Sequence, residues 1–262
     1  MHSTLMQGRT VLVTGVGVGL GKEVAAAHLD AGANVVIGAR SADRLAVFAK
    51  ELDPTGERIL AHRADITDDT SCEELVRAAV QRFGALHAVV QVAAYEDAWG
   101  GLFDSQLPNW TKAFDTNVVG ALRLLRAAVP ALKDAGGGSI VFIGTQSSFK
   151  PALPQAGYSA SKGALLTTMH YLADELGPDN IRVNTVIPGW MWGPNVEMFV
   201  DYRAKSEKKT RDDVLGEITG TFPLRRMAED REVADATVFF ASDLSRAITN
   251  QHLMVNCGDL SR

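Results

Sequence analysis

The chain has 262 residues, 46% hydrophobic and 22% charged, which excludes a disordered polymer and leaves room for one α/β domain with a sizeable core. Acidic residues outnumber basic ones 31 to 26, a net charge of −5, so nothing in the balance favours nucleic acid as a partner. The start lacks the apolar run of a signal peptide, no stretch has the length of a membrane span, and Cys72 and Cys257 form no CxxC pair; the expectation is a cytoplasmic chain with free thiols and no membrane partner.

Short β-branched runs alternate with longer amphipathic stretches. Thr10–Thr14, Asn34–Gly38 and Arg58–Arg63 read as strands, each followed by a helix: Gly19–Ala31, Ser41–Leu52 and Asp68–Phe83. A fourth strand over His87–Val90 leads to one long helix, Leu107–Lys133. Ser139–Ile143, a helix over Ala156–Leu176, Ile181–Ile187 and Gln251–Val255 complete the series. The strand runs are almost continuously apolar, as strands covered on both faces should be, so a parallel, doubly wound sheet is expected. No linker or repeat divides residues 1–262, which read as a single domain. A polar segment, residues 194–221, interrupts the pattern after the sixth strand and reads either as a solvated helix or as a lid over a ligand site.

The first strand hands over to the first helix through Thr14-Gly15-Val16-Gly17-Val18-Gly19-Leu20-Gly21. Glycines there let backbone approach a pyrophosphate lodged at the positive end of a helix, which marks a dinucleotide site by position. Further on, Tyr158-Ser159-Ala160-Ser161-Lys162 sets a phenol and an ammonium four residues apart on one helix face. An ammonium beside a phenol favours the phenolate and so makes a proton carrier out of a poor base. The scattered histidines have no metal-ligand spacing, and no metal is expected.

The TGxxxGxG spacing, with Tyr158 and Lys162 after the fifth strand, resembles the short-chain dehydrogenase/reductase family along nearly the whole chain. The resemblance implies a Rossmann-type α/β fold with a seven-stranded parallel sheet flanked by helices, and a hydride transfer between NADP(H) and a secondary alcohol or ketone. Tyr158 would be the general acid/base, Lys162 its partner and a holder of the nicotinamide ribose, Thr145 the hydroxyl that stands where the family carries a serine, and Asn117 the helix asparagine of a proton relay; Ser147 and Ser148 are alternatives to Thr145. Gly15, Val18, Gly19, Leu20 and Gly21 would cradle the phosphates, Asp65 and Ile66 the adenine, Ala93 the adenosine ribose, and Pro188 and Gly189 the nicotinamide. Arg40, preceded by Ala39 where NAD-preferring members carry aspartate, points to NADP(H), with NAD(H) as the other cofactor.

The chain departs from the family pattern at Gln91-Val92-Ala93-Ala94, which replaces an Asn-Asn-Ala-Gly segment, and at Asn250, which replaces a glycine. Trp99, Phe149, Trp190, Trp192, Met198 and Phe199 fall on segments that line the family's substrate cleft, implying a bulky, cyclic or apolar small-molecule substrate. The resemblance further implies a homotetramer. A non-catalytic NADP sensor and a C=C or C=N reductase of the same fold are the competing readings; the first has no use for the Tyr158, Lys162 and Asn117 relay.

Overall fold

The computed structural model describes residues 4–260. β1 (Thr10–Thr14), α1 (Leu20–Asp30), β2 (Asn34–Ala39), α2 (Ala42–Leu52), β3 (Ile59–Arg63), α3 (Asp69–Phe83) and β4 (Ala88–Gln91) form the first half. The second half runs through α4 (Leu107–Phe114), α5 (Ala121–Asp134), β5 (Gly138–Ile143), α6 (Ala156–Leu176), β6 (Ile181–Pro188), α7 (Pro194–Glu207), α8 (Arg211–Thr219), α9 (Asp230–Ala241) and β7 (His252–Val255). The strands form one sheet in the order β3-β2-β1-β4-β5-β6-β7, every pair parallel, so the doubly wound expectation holds. Chain direction across the sheet reverses between β1 and β4, and the crevice at their carboxyl ends is where such sheets bind ligands.

The period-two geometry of strands divides the core into two layers. Val11 and Val13 of β1 join Val24, Ala25, Val233 and Val238 under α1 and α9, whereas Leu12 joins Leu75, Leu124, Phe142 and Leu165 under α3, α5 and α6. Residues 194–221 fold as the helical pair α7 and α8, with a small core of Val196, Val200, Val214, Ile218 and Phe222. Arg203 and Lys209 each bridge Glu207 and Glu217, which ties the two helices together on their outer side.

The expected helix over Leu107–Lys133 is broken. A π-helical turn, Asp115–Gly120, separates α4 from α5. Asn117 sits in it with its side chain turned out of the helix, where it accepts from the Tyr95 amide at 2.7 Å and donates to the Tyr95 carbonyl at 3.1 Å and to Ser161 Oγ at 2.8 Å. Single π turns of this kind commonly mark functional positions in helices.

His28 of α1 is fully buried against α9; its Nδ1 meets the Val24 carbonyl at 2.8 Å and its Nε2 has no partner among the described residues. Burial lowers its pKa from 6.5 to about 4, so the folded state holds it neutral. Since the unfolded chain takes up the proton first, this contribution is complete above pH 6.5 and is lost as the pH falls toward 4, about 3 kcal/mol in all. His28→Leu is therefore expected to flatten the stability difference between pH 7.5 and pH 4.5 in urea unfolding. An unchanged difference would show that other groups set the acid limb.

Candidate active site

The β1–α1 turn touches the end of β4. Gly15 has φ +79°, and a Cβ there would lie 2.2 Å from the Ala93 nitrogen, so only glycine lets the two segments close together. Gly19, φ +95°, caps α1 without any side-chain bond to the first turn. Among the described residues no acceptor reaches the Leu20 and Gly21 amides, which border a cleft of about 970 Å³. An open helix N-terminus on a cleft of this size fits a dinucleotide diphosphate. Val18 is 85% exposed at the rim.

Gly15, Val18, Gly19, Leu20, Gly21, Arg40, Asp65, Ile66, Ala93, Thr145, Tyr158, Lys162, Pro188 and Gly189 all border this one cleft. Asn117 alone of the expected site residues stands behind it, fully buried. At one end, where β2 stops, Arg40, Ser41 and Arg44 are exposed, and neither guanidinium enters an ion pair among the described residues. Asp65 is opposite. Burial pushes its carboxyl up, but bonds from the Thr67 amide at 3.0 Å and hydroxyl at 2.7 Å, with the charges of Arg40 and Arg63, hold it below the usual carboxylate range. The cap of α3 falls to Asp68, which accepts from the Ser71 amide at 2.7 Å.

At the other end α6 presents Tyr158 and Lys162, both on its inner face. The Lys162 ammonium, 2% exposed, lies 5.9 Å from the Tyr158 ring centroid and donates to the Ile143 carbonyl at 2.7 Å. Burial brings its pKa from 10.5 down to about 8, against a smaller upward pull from Glu96. The Tyr158 phenol is pushed well above its ordinary value by burial and by the Glu96 charge, while a hydrogen bond with Thr145 works the other way. Phenol and threonine hydroxyl border the same cleft.

Of the alternatives to Thr145, Ser147 also borders the cleft, but Ser148 is occupied, donating to the Ser159 carbonyl at 3.1 Å. Asn117 connects to the same helix through Ser161, whose hydroxyl donates to the Tyr158 carbonyl at 2.7 Å. Gln91 compensates in part for the missing asparagines: its Nε2 donates to the Ala93 carbonyl at 2.6 Å and holds the β4 exit in place. Asn250 adopts φ 62°, a left-handed backbone that asparagine tolerates.

The aromatic expectation is corrected. Of the six residues named, only Trp192 borders the cleft. Trp190 and Phe199 pack on each other at 5.7 Å within the α7–α8 core, and Phe149 lies 5.6 Å from the His252 ring. Trp190 and Phe199 thus cover each other instead of lining the opening, and Met198 of α7 is exposed. The structure also brings in residues that no motif marked. Glu96 and Asn195 border the cleft as well, and Asp259, its side chain 2% exposed, pairs with Lys150 at 2.6 Å and accepts from Gln146 next to the Thr145 loop. No sequence signal could have found these pairings, since each joins residues about a hundred positions apart.

Among the described residues no group of three or more His, Cys, Asp or Glu side chains could hold a metal ion, and no helix is long and apolar enough to cross a membrane.

A family profile described as enoyl-(acyl carrier protein) reductase matches residues 15–259. The chain is 32% identical to an L-rhamnose 1-dehydrogenase (NAD(P)(+)) of Azotobacter vinelandii over 97% of each chain. It is 27% identical to a 7alpha-hydroxysteroid dehydrogenase of Escherichia coli, covering 97% of this chain and 94% of the relative. Among solved structures, a short-chain type dehydrogenase/reductase from Mycobacterium ulcerans superposes with a TM-score of 0.86 at 32% identity, over 97% of this chain and 90% of that one.

Proposed function

Because the chain belongs to the short-chain dehydrogenase/reductase family, we propose that it moves a hydride between a nicotinamide cofactor, NADP(H) in preference to NAD(H), and a cyclic secondary alcohol or ketone. The observation that carries this reading is that Tyr158, Thr145 and the buried Lys162, its ammonium 5.9 Å from the Tyr158 ring, border the cleft that also holds the open N-terminus of α1. When bound, the cofactor supplies or accepts the hydride. Tyr158 gives its proton to the carbonyl oxygen in reduction and takes it from the hydroxyl in oxidation, and Thr145 fixes that oxygen by a second hydrogen bond. Lys162 holds the ribose hydroxyls and, as a cation, draws the phenol toward ionisation. Asn117 positions α6 through Ser161.

Gly15, Val18, Gly19, Leu20 and Gly21 hold the diphosphate in this reading, Asp65 and Ile66 the adenine, Ala93 the adenosine ribose, and Pro188 with Gly189 the nicotinamide. The whole chain acts as one catalytic unit, with residues 194–221 as its lid: Arg211 of α8 stacks 5.6 Å from Trp192 at the cleft. Exposed Phe114, Val119 and Tyr171 support self-association on the α4–α6 face, in the homotetramer the family resemblance implies. A ring substrate is supported by the hydroxysteroid relative, and a phenol and a threonine hydroxyl bordering one cleft favour C=O over the C=C bond of the profile's description.

The NADP(H) preference is supported by Arg40 and Arg44, which have no ion-pair partner among the described residues and meet no carboxylate at position 39. A guanidinium bonded to a 2′-phosphate is worth about 1.5–3 kcal/mol. Arg40→Ala is therefore expected to cut kcat/KM for NADPH by about 10- to 100-fold and to leave NADH nearly unaffected. Absorbance of the reduced cofactor, NADPH and NADH in parallel, over cyclic ketones and an α,β-unsaturated acyl thioester tests the whole reading. Faster turnover of a ketone with NADPH supports it; turnover of the thioester alone would replace it by C=C reduction.

A further inference from the structure

The substrate end of the cleft is more polar than its aromatic-rich neighbourhood in sequence implies. Glu96, Ser147, Gln155 and Asn195 share it with Met191 and Trp192. Glu96 is anchored to the catalytic helix, since its carbonyl accepts from Nε2 of buried Gln155, the residue that precedes α6, at 3.1 Å. Its side chain reaches the other way, to α7, where Asn195 Nδ2 donates to one carboxylate oxygen at 2.8 Å. Among the described residues no other donor and no cation reaches this carboxylate. Glu96 borders the same cleft as Tyr158 and Lys162, and its charge acts on both.

A carboxylate has about four acceptor positions, and here one is used. Closing an apolar ring over the rest would strip their water without replacing it, and an anionic substrate would be repelled. A neutral substrate carrying a second hydroxyl meets both demands, because an O–H donor to an ionised acceptor makes one of the stronger hydrogen bonds.

We propose that Glu96 is a specificity-determining residue of this cleft, its carboxylate accepting a hydrogen bond from a second hydroxyl of the substrate and thereby selecting a cyclic diol or polyol over a monohydric alcohol or a hydroxy acid. This rests on the alcohol–ketone reading above and narrows it to a substrate class.

The test uses the full chain loaded with NADPH, so that alcohols bind without reacting. Calorimetric titration with cyclohexanol, with the 1,2-, 1,3- and 1,4-cyclohexanediols and with 4-hydroxycyclohexanecarboxylate should show at least one diol binding about tenfold or more tightly than cyclohexanol, the gain from one charge-assisted hydrogen bond. In Glu96→Gln and Glu96→Ala the diol-to-cyclohexanol ratio should fall toward one, and in Glu96→Lys the preference should pass to the hydroxycarboxylate. Glu96 is exposed, so melting temperatures close to that of the unaltered protein are expected to show that the variants fold. Diols bound no better than cyclohexanol, no binding by any of these alcohols, or a diol preference that survives both neutral variants would overturn the assignment. Steady-state oxidation with NADP+ separates the two readings. Diol binding that depends on Glu96 without any turnover would leave Glu96 as the selector and remove the oxidoreductase reading; turnover indifferent to Glu96 would do the reverse.

Discussion

Tyr158→Phe is expected to lower turnover by about 10²- to 10⁴-fold, the usual worth of a positioned general acid or base, with cofactor affinity changed by no more than a few fold. The substitution removes one oxygen and keeps the ring that packs on α6. Partial burial and the Glu96 charge keep the phenol protonated, so in the reductive direction its proton is in place at neutral pH. In the oxidative direction the same phenol has to lose that proton, and the cation at Lys162 is the group beside it that makes this accessible. Oxidation should therefore gain more than reduction as the pH is raised, until Lys162 itself begins to lose its charge near pH 8 in the free protein. Single-turnover absorbance in both directions, with fluorescence titration of the reduced cofactor as the binding control, measures this. A variant that turns over within tenfold of the unaltered protein would show that another group carries the proton.

Lys162→Met is expected to abolish turnover and yet raise the melting temperature of the protein without cofactor. The folded state holds the ammonium almost out of contact with water, and the shift of its pKa from 10.5 to about 8 corresponds to a cost of about 3 kcal/mol. The sign follows from linkage: below pH 8 both folded and unfolded chains carry the charge and the cost is complete, and it fades as the pH rises from 8 toward 10.5. Methionine fills the same channel without the charge. Against this gain stands the Ile143 carbonyl, which loses its donor at a cost of about 1–3 kcal/mol. The net expectation is a gain of about 1 kcal/mol at pH 7, a rise of about 2–4 °C for a chain of this size, shrinking at pH 9.5. Calorimetry at the two pH values checks it. A melting temperature several degrees lower would mean that the ammonium stabilises the fold, contrary to its burial. Stability given up at a functional position in this way is a common trade in enzymes.

Tyr158 and Lys162 are both legible in the amino-acid sequence. Their pairing, like the glycine turn, depends on chain-local geometry: a helical rise that returns to the same face every fourth residue, and a positive φ after a strand. The strands are legible because two-sided burial requires near-continuous apolar runs, and their expected limits lie within a residue or two of β1 to β7. Asn117 is legible as a residue out of place in an apolar helix, although the π turn that turns its side chain toward Tyr95 is not.

The order of elements, the apolar strands, the glycine turn and the spacing of Tyr158 and Lys162 are thus legible locally, because each leaves its pattern in residues close together along the chain. Packing between distant segments decided the rest: which hydroxyl faces Tyr158, that Trp190 and Phe199 bury each other while Trp192 remains at the cleft, and that Glu96 meets Asn195 at its mouth. Those outcomes depend on how loops from remote parts of the chain come together, and a side chain's neighbours across such a contact leave no period or spacing in the sequence to read.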